Sequence, residues 1–223
     1  MNAGSDGTLS GWGRVPVAGR EVRSEDLEAL TRDAVLCRGL GRSYGDSSLP
    51  PPGHPVVAAT PLADRILAFD AVTGTLRAEA GLSLRALNRS FLPRGFYAPV
   101  TPGTQMITLG GMVAADVHGK NHHRDGSFCD HVLSMELRTP AGEHVRLTPD
   151  ETPDEFWATA GGIGLTGVVT EATLQLLPIE TNRIRVDTER ASDLDALMTL
   201  MTEGEHFCGV PVWRSFPHVE RRI

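Results

Sequence analysis

Cysteines and basic residues are both scarce in this sequence, and each shortage excludes a class of protein. Cys37, Cys129 and Cys208 are the three cysteines among 223 residues, too few and too widely spaced for a disulfide scaffold or a zinc site of close cysteine pairs. Cys129 and Cys208 are expected to be structural. The 21 Lys and Arg are outnumbered by 28 Asp and Glu. The resulting formal net charge of −7 excludes a protein that binds nucleic acid through an overall positive charge.

Long hydrophobic runs are missing as well. No run approaches the roughly 18 apolar residues of a membrane-spanning helix, and residues 1–7 lack the basic and apolar regions of a signal peptide. We therefore expect a cytoplasmic protein, with peripheral contact to the inner membrane left open. The 24 glycines and 15 prolines, together with 40 % hydrophobic residues, indicate a globular and loop-rich fold.

Helices and strands alternate along the chain, which indicates the α/β (α+β) class. Residues 1–23 are interpreted as an N-terminal arm, and Ser24 as the N-cap of a short helix. Residues 34–37 have the pattern of a buried strand that leads directly into a glycine-rich loop at 38–48.

Strand signals dominate the middle of the sequence. Two β-hairpins are predicted, with turns at 72–74 and 141–142, and Ser83 is predicted to cap a helix between them. Residues 154–160 are predicted to be helical and residues 168–177 to be extended.

Glycine-rich turns recur along the chain, and successive backbone amides in such turns can bind phosphate groups. The turn at 38–48 has Arg38 and Arg42 beside its glycines, which favours a pyrophosphate ligand. The turn at 161–167 contains GxGxxG, but a helix precedes it and a strand follows, the reverse of the dinucleotide-binding fingerprint. The first turn is therefore the stronger candidate for a phosphate site.

Several basic residues are concentrated at 118–124. His118 and His122 have the i, i+4 spacing of a helix, but no carboxylate ligand accompanies them, so no metal site is expected. A solvated basic turn is the preferred interpretation of His122, His123 and Arg124. His118 follows a run of small apolar residues and is expected at its buried end, where a core histidine and a histidine facing a cofactor are about equally supported.

The order of these motifs resembles the FAD-binding domain of the vanillyl-alcohol-oxidase-type (PCMH-type) flavoproteins. The resemblance covers about residues 11–181 and implies two α/β subdomains that hold an extended FAD. Its motifs are RGLGRSYGD at 38–46, PGT at 102–104, TLGG at 108–111, DVHGKNHH at 116–123, GSF at 126–128, FWAT at 156–159 and GLTG at 164–167.

The resemblance implies a set of FAD contacts at the pyrophosphate, along the path to the flavin, and at the isoalloxazine ring. In that order they are Cys37, Arg38, Gly39, Leu40, Gly41, Arg42, Ser43, Tyr44, Gly45, Asp46 and Ser47; Gly103, Thr108, Leu109, Gly110 and Gly111; and Ala115, Asp116, Val117 and His118. Val169 would contact the adenosine side, and His118 and Lys120 would face the substrate as catalytic residues. Arg42 stands about where covalent relatives carry a histidine, which implies non-covalent FAD.

The resemblance extends to the substrate. Within the family, the HGKNHH and GSF motifs are most similar to those of flavoenzymes that oxidise the ribose 2-hydroxyl of a polyprenyl-phosphate-linked sugar to a ketone, in the synthesis of cell-wall arabinan precursors. A partner reductase is compatible with that role. Two alternatives stay open: an FAD-linked oxidase of free sugars, alditols or lactones, and a non-catalytic FAD-binding fragment.

The resemblance also divides the chain into an arm at 1–23, the FAD-binding domain at 24–181 and the beginning of a substrate (cap) domain at 182–223. The last part shows an extended segment at 183–187 and a helix at 192–201, followed by an aberrant tail. We therefore expect a truncated cap domain, and we expect the chain alone not to turn over substrate. The electron acceptor stays open.

Overall fold

Two five-stranded β-sheets organise the chain. The computed structural model describes residues 2–3, 7–183, 188–203, 209–210 and 220–222. In chain order the strands are β1 (Asn2–Ala3), β2 (Gly7–Ser10), β3 (Pro16–Arg23), β4 (Cys37–Arg38), β5 (Val56–Ala59), β6 (Ile66–Asp70), β7 (Thr75–Glu79), β8 (Phe96–Tyr97), β9 (Val132–Arg138), β10 (His144–Leu147), β11 (Val168–Gln175), β12 (Leu177–Pro178), β13 (Thr188–Glu189), β14 (Gly209–Val210) and β15 (Glu220–Arg222). The α-helices are α1 (Leu27–Thr31), α2 (Leu84–Phe91), α3 (Leu109–Ala114), α4 (His122–Asp125), α5 (Pro153–Thr159) and α6 (Leu194–Glu203), with 3₁₀ turns at Leu92–Arg94 and Phe128–His131.

The first sheet is mixed. Strands β3, β5 and β4 run parallel in that order, and β1 and β2 pair antiparallel with β3. Leu27 and Leu30 of α1 pack with Ala58 and Ala63 in a small core separate from the main one. Because β4 ends where the first glycine loop begins, this sheet sets the starting point of that loop.

The second sheet is antiparallel throughout, with its strands in the order β10-β9-β11-β7-β6. Its main core includes the fully buried side chains of Leu76 in β7, Phe91 in α2, Met112 in α3 and Phe156 in α5. Helix α3 packs against β11. Each such side chain stabilises the fold by about 1.5–3 kcal/mol on burial, so this core holds α3 firmly on the sheet.

The elements predicted for the second sheet are confirmed. The turn at 72–74 joins β6 to β7, and the turn at 141–142 joins β9 to β10. Ser83 caps α2, its hydroxyl oxygen accepting a hydrogen bond from Ala86 N at 3.2 Å. These predictions succeed because each depends on residues that are close in sequence.

The segment interpreted as an N-terminal arm forms part of the first sheet. Residues 7–23 form the hairpin of β2 and β3, and β3 pairs in parallel with β5, so that Val22 lies opposite Ala58. That pairing joins segments more than 30 residues apart and leaves no local sequence signal.

Two boundaries near the first glycine loop were predicted wrongly. Asp26, not Ser24, caps α1, its carboxylate accepting from Ala29 N at 3.0 Å. The strand predicted at 34–37 is limited to β4, and Val35 is 59 % exposed. An apolar run of this length predicts burial, but here only its end is paired in the sheet.

The C-terminal predictions are tested in part. Helix α6 confirms the helix predicted at 192–201. Residues 184–187, 204–208 and 211–219 lie outside the described part of the chain, and with them most of the extended segment at 183–187, Cys208 and most of the tail. The division into domains stays a prediction.

Glu79 and Arg65 form an ion pair at the end of β7. Arg65 donates to the Glu79 carboxylate from its backbone N at 2.8 Å and from Nε at 3.0 Å. Burial alone would raise the pKa of Glu79, but the hydrogen bonds and charge of Arg65 outweigh it and hold this pKa below its ordinary value of 4.5.

A carboxyl group with a lowered pKa in the folded state stabilises the fold at neutral pH, and this contribution is lost as the pH falls through the folded-state pKa. We therefore expect Glu79→Gln to be less stable than the wild type well above pH 4.5. The difference in the free energy of unfolding between the two proteins should shrink as the pH falls below 4.5. Urea unfolding over a pH series measures it, and a difference that does not depend on pH would contradict this assignment.

Candidate active site

Helix α3 is the element around which the site is built. Thr108 caps it, its hydroxyl oxygen accepting from Gly111 N at 3.2 Å. Leu109 N and Gly110 N donate 2.8 Å hydrogen bonds to the carbonyl oxygens of Leu82 and Ala80, which anchor the helix on the turn after β7. A side chain at position 110 would press on Ala80 at 3.0 Å, so the close packing requires glycine there.

The first glycine loop lies directly against the start of α3. A Cβ atom at Gly39 would collide with the side chain of Thr108, which is itself 2 % exposed. Gly41 has a φ of +64°, and a Cβ there would collide with the guanidinium of Arg38. The loop therefore approaches α3 closely only because these positions carry no side chain.

Arg38 points into the protein instead of toward a ligand. Its Nη1 donates to the Ser48 carbonyl at 2.9 Å, its Nη2 donates to the Ser10 carbonyl at 2.8 Å, and its Nε lies 2.9 Å from Glu21 Oε1. The predicted contact to a pyrophosphate therefore cannot come from this guanidinium, which closes the loop onto β2 and β3. The backbone amides of the loop and the exposed Arg42 remain the candidate phosphate ligands.

The outer part of the loop is exposed from Arg42 to Ser47. Arg42 Nη1 donates to the Leu40 carbonyl at 2.9 Å, and the Tyr44 ring, 82 % exposed, makes an edge-to-face contact with Trp12 at 6.1 Å. Asp46 lines a groove of about 510 Å³ together with Val17, Ala18, Leu49, Pro50, Pro51, Pro52, Gly53 and Pro55. The structure thus divides the predicted loop contacts between two surfaces.

The segment at 99–104 contacts the turn that contains Lys120. Asn121 Nδ2 donates to the Pro99 carbonyl at 2.9 Å, and a Cβ at Gly119 would lie 3.0 Å from the Thr101 carbonyl oxygen. Thr101 and the contact of Asn121 were not predicted from the sequence. Thr101 directly precedes the PGT motif, which was the available signal for it, whereas the bond from Asn121 to Pro99 joins residues 22 positions apart through tertiary packing.

The residues after α3 lead from the core to the surface. Asp116 has an unusual φ of +37°, and its carboxylate accepts from Cys129 N at 2.9 Å. Val117 N donates to the Met112 carbonyl at 3.0 Å. The sharp turn at Asp116 directs the chain outward from the helix.

His118 is exposed, and the prediction that it lies at the buried end of the small-residue run is wrong. Its backbone forms an isolated bridge with Ser127, and its ring lies 5.5 Å from that of His122. Exposure excludes the alternative of a satisfied core histidine. Ala115 and Lys120 are exposed as well, so the segment that follows α3 presents one small, one ionisable and one cationic side chain to solvent.

The predicted basic turn is a short helix, α4, whose side chains are all exposed, as expected for a solvated segment. Asn121 Nδ2 also donates to Asp125 at 2.7 Å. Across the described part of the chain, no group of three or more metal-ligating side chains is found. Lys120 is the only lysine of the chain.

The glycine turn at 161–167 supports α3 from the other side. Gly161 N and Ile163 N donate to the carbonyls of Val113 and Ala114 at 3.0 and 2.8 Å. The turn has α5 before it and β11 after it, which confirms that it is not the dinucleotide fingerprint. The contact of this turn with α3 was not predicted from the sequence.

Val169 contacts the site through its backbone. Its side chain belongs to the core, and a Cβ at Gly110 would lie 3.7 Å from its carbonyl oxygen. The contact predicted from Val169 to a cofactor would therefore be made by main-chain atoms.

We call the first glycine loop, residues 99–104, α3 and residues 115–121 the α3 site.

The two described cysteines are not reactive groups of this site. Burial raises the pKa of the Cys37 thiol to about 11, although the charge of Arg138 acts in the opposite direction. Burial, reinforced by the negative charge of Asp116, raises the pKa of Cys129 strongly. Both remain protonated near neutral pH, and Cys129 is structural, as predicted.

The residues of the α3 site fit an extended dinucleotide cofactor. Gly103 has open space around it, with no atom within 4 Å of an added Cβ, and its φ lies outside the left-handed region. Neither packing nor conformation requires glycine at this position, whereas close approach of a ligand would. Ser48 Oγ is buried at the end of the first loop without a hydrogen-bond partner among the described residues.

Fold and site together define a flavin-binding domain. The chain belongs to the FAD binding domain family, which it matches over residues 27–148. It is 42 % identical over 208 residues to the decaprenylphosphoryl-beta-D-ribose oxidase of Mycolicibacterium smegmatis, an alignment that covers 88 % of this chain and 45 % of that protein.

Two further comparisons concern more distant proteins. A probable L-gulonolactone oxidase 6 of Arabidopsis thaliana is 29 % identical over 145 residues, covering 62 % of this chain and 24 % of that protein. The solved structure of an alkyldihydroxyacetonephosphate synthase matches with a TM-score of 0.66 at 21 % identity, covering 79 % of this chain and 34 % of that one. The last likeness concerns the fold alone. The chain spans less than half the length of these relatives.

The contact between Gly39 and Thr108 can be tested directly. We expect Gly39→Ala to weaken FAD binding by about tenfold, because overpacking typically costs about 1–3 kcal/mol and 1.4 kcal/mol corresponds to tenfold in affinity. Quenching of flavin fluorescence on titration with apoprotein measures the dissociation constant. Gly13→Ala is the matched control, because a Cβ there meets nothing within 4 Å. Equal affinities of both variants and the wild type would contradict the assignment of this contact to the FAD site.

Proposed function

We propose that this chain is the FAD-binding part of an oxidoreductase that oxidises the ribose 2-hydroxyl of a polyprenyl-phosphate-linked ribose to a ketone. The observation that carries the proposal is the continuity of the α3 site. Its packed glycine loop lies at one end of α3, and His118 and Lys120 are exposed at the other. A phosphate-holding end and a reactive end are what a dinucleotide cofactor and its substrate need.

The residues divide into two groups by role. Backbone amides of the first loop and the small residues around Gly103 and Gly110 would hold FAD. When bound, FAD supplies the acceptor for the two electrons and the hydrogen removed from the sugar carbon. His118, whose ring faces solvent, would accept the proton of the 2-hydroxyl group. Ala115 beside it leaves room for a flat ring.

A phosphorylated substrate is favoured by the charges near His118. Lys120 and Arg124 follow it closely in the sequence and are both exposed, in a chain with a net charge of −7. The anionic phosphate of a lipid-linked sugar would be attracted to such a local concentration of positive charge. The similarity to a decaprenylphosphoryl-beta-D-ribose oxidase supports the same substrate class.

A lipid-linked substrate would bring the protein to a membrane surface. None of the helices in the described ranges is long and apolar enough to cross a membrane. We therefore propose peripheral contact with the inner membrane from the cytoplasm. A separate reductase that acts on the ketone product is a partner compatible with this role.

An oxidase of free sugars, alditols or lactones is the second candidate. The similarity to a probable L-gulonolactone oxidase favours it, at lower identity. The third candidate is an FAD-binding fragment without activity of its own. The three candidate functions differ in the ligand expected beside Lys120, and the binding of each ligand there can be measured.

The first test concerns how FAD is held. We expect acid precipitation of the FAD-loaded protein to release all of the yellow colour into the supernatant. The exposed part of the first loop carries Arg42 and no histidine, so it offers no imidazole for a covalent link to the flavin. Colour that remains with the pellet after washing in denaturant would contradict non-covalent binding.

The second test uses the single lysine of the chain. We expect a polyprenyl-phosphate-linked ribose to protect Lys120 of the FAD-loaded protein from acetylation by an amine-selective reagent. Peptide mass spectrometry measures the modified fraction. The N-terminal amine is the internal control, since its acetylation should not change.

The other outcomes distinguish the candidates. Protection by free alditols or lactones, without protection by the lipid-linked sugar, would favour the second candidate. No protection by any of them would leave an FAD-binding fragment. Bleaching of the flavin by the lipid-linked ribose would support the proposed substrate and contradict the expectation that the chain alone is inactive.

A further inference from the structure

Arg138 is a buried cation that joins the two sheets. It is the last residue of β9 in the second sheet and is 9 % exposed. Its Nη1 donates to the carbonyl oxygen of Thr31 at 3.1 Å and to the Thr31 hydroxyl at 3.4 Å. Thr31 is the last residue of α1, the helix of the first sheet, so the bond spans 107 positions of the sequence.

The acceptors at Thr31 are available for this contact. The carbonyl groups of the last turn of a helix lack partners within the helix, and a guanidinium can satisfy them. The Thr31 hydroxyl donates its own hydrogen to the Leu27 carbonyl at 2.7 Å and so presents only lone pairs to Arg138. Among the described residues, no carboxylate forms an ion pair with Arg138.

The backbone around Arg138 is fitted to its position. A Cβ at Gly167 would collide with the Arg138 carbonyl oxygen, and one at Gly142 would lie 3.3 Å from Nη2. Val168, which follows Gly167, pairs with Arg138 across the sheet. The residue therefore has little freedom to move, and the helix that it binds is held at a defined place.

This contact lies next to the start of the first glycine loop. The Thr31 carbonyl that Arg138 binds also accepts from Ala34 N at 3.3 Å, and Cys37 of β4 packs against the small core that contains Leu27 and Leu30 of α1. Strand β4 passes directly into Gly39. The backbone of Gly39 lies so close to the Thr108 side chain that an added Cβ would collide with it. On the other side, β9 pairs with β11, whose Val169 carbonyl faces Gly110 of α3.

We propose that Arg138 is a positioning residue that holds the first glycine loop at the correct distance from α3 for FAD binding. This inference rests on the proposed FAD site and adds a residue that does not itself touch the cofactor. Without the bond to Thr31, α1 and β4 can shift relative to the second sheet. The loop amides would then no longer face the phosphates at the distance that α3 requires for the rest of the cofactor.

The test compares three variants of the full chain. We expect Arg138→Met to raise the dissociation constant of FAD by about tenfold, which corresponds to the loss of one hydrogen bond from a charged donor. Arg138→Lys should recover part of this affinity, because it keeps a donor and the charge. Arg77→Met is the matched control, since Arg77 forms an exposed pair with Glu171 at 2.8 Å within the second sheet. It should change the affinity by less than about twofold, as expected of a surface pair.

A second measurement separates positioning from general destabilisation. Hydrogen exchange of the apoprotein should accelerate at residues 39–47 in Arg138→Met, and not in Arg77→Met. If Arg138→Met lowers the unfolding midpoint but binds FAD within twofold of the wild type well below that midpoint, the role is structural only and the proposal fails. If Arg138→Met does not fold, Arg138→Lys decides by the same two readouts. Absence of FAD binding in the wild type would instead contradict the proposed function.

Discussion

The contact between Gly39 and Thr108 is the constraint on which the rest of the site depends. Thr108 is nearly fully buried and caps α3, so its side chain cannot yield, and the loop can pass it only without a Cβ. The first sheet sets the direction of the loop through β4, and the second sheet sets α3. The loop that follows the first sheet and the helix that packs on the second sheet therefore come into close contact at this point.

The arginines show how burial decides the role of a side chain. Arg38 and Arg138 are both buried and both bind backbone carbonyl groups, and so they order the chain. Arg42 is exposed and bonds only to a neighbouring carbonyl, which leaves it accessible to a ligand. Burying a charged group without hydrogen-bond partners costs free energy, because the surrounding dielectric is low. A buried guanidinium is therefore found where carbonyl or carboxylate oxygens can accept its hydrogen bonds.

The surroundings of the predicted site residues differ in the same way. Gly103, Gly110 and Gly111 were predicted to line the path to the flavin; a Cβ at Gly103 would meet nothing within 4 Å, whereas one at Gly110 would press on Ala80 and one at Gly111 on Thr108. His118 was expected to be buried because it ends an apolar run. The positive φ at Asp116 turns the chain outward before His118, and no pattern of hydrophobicity reports a single backbone angle.

By itself, the sequence determined the local elements and the family to which they belong. The hairpins at 72–74 and 141–142, the Ser83 cap and the glycine motifs all depend on residues near one another in the chain. Only the tertiary structure decided that β3 pairs with β5, that Arg38 reaches the Ser10 carbonyl, and that Arg138 reaches Thr31. The physical reason is that each of these contacts joins residues at least 28 positions apart, where the free energy comes from packing and pairing that no local pattern encodes.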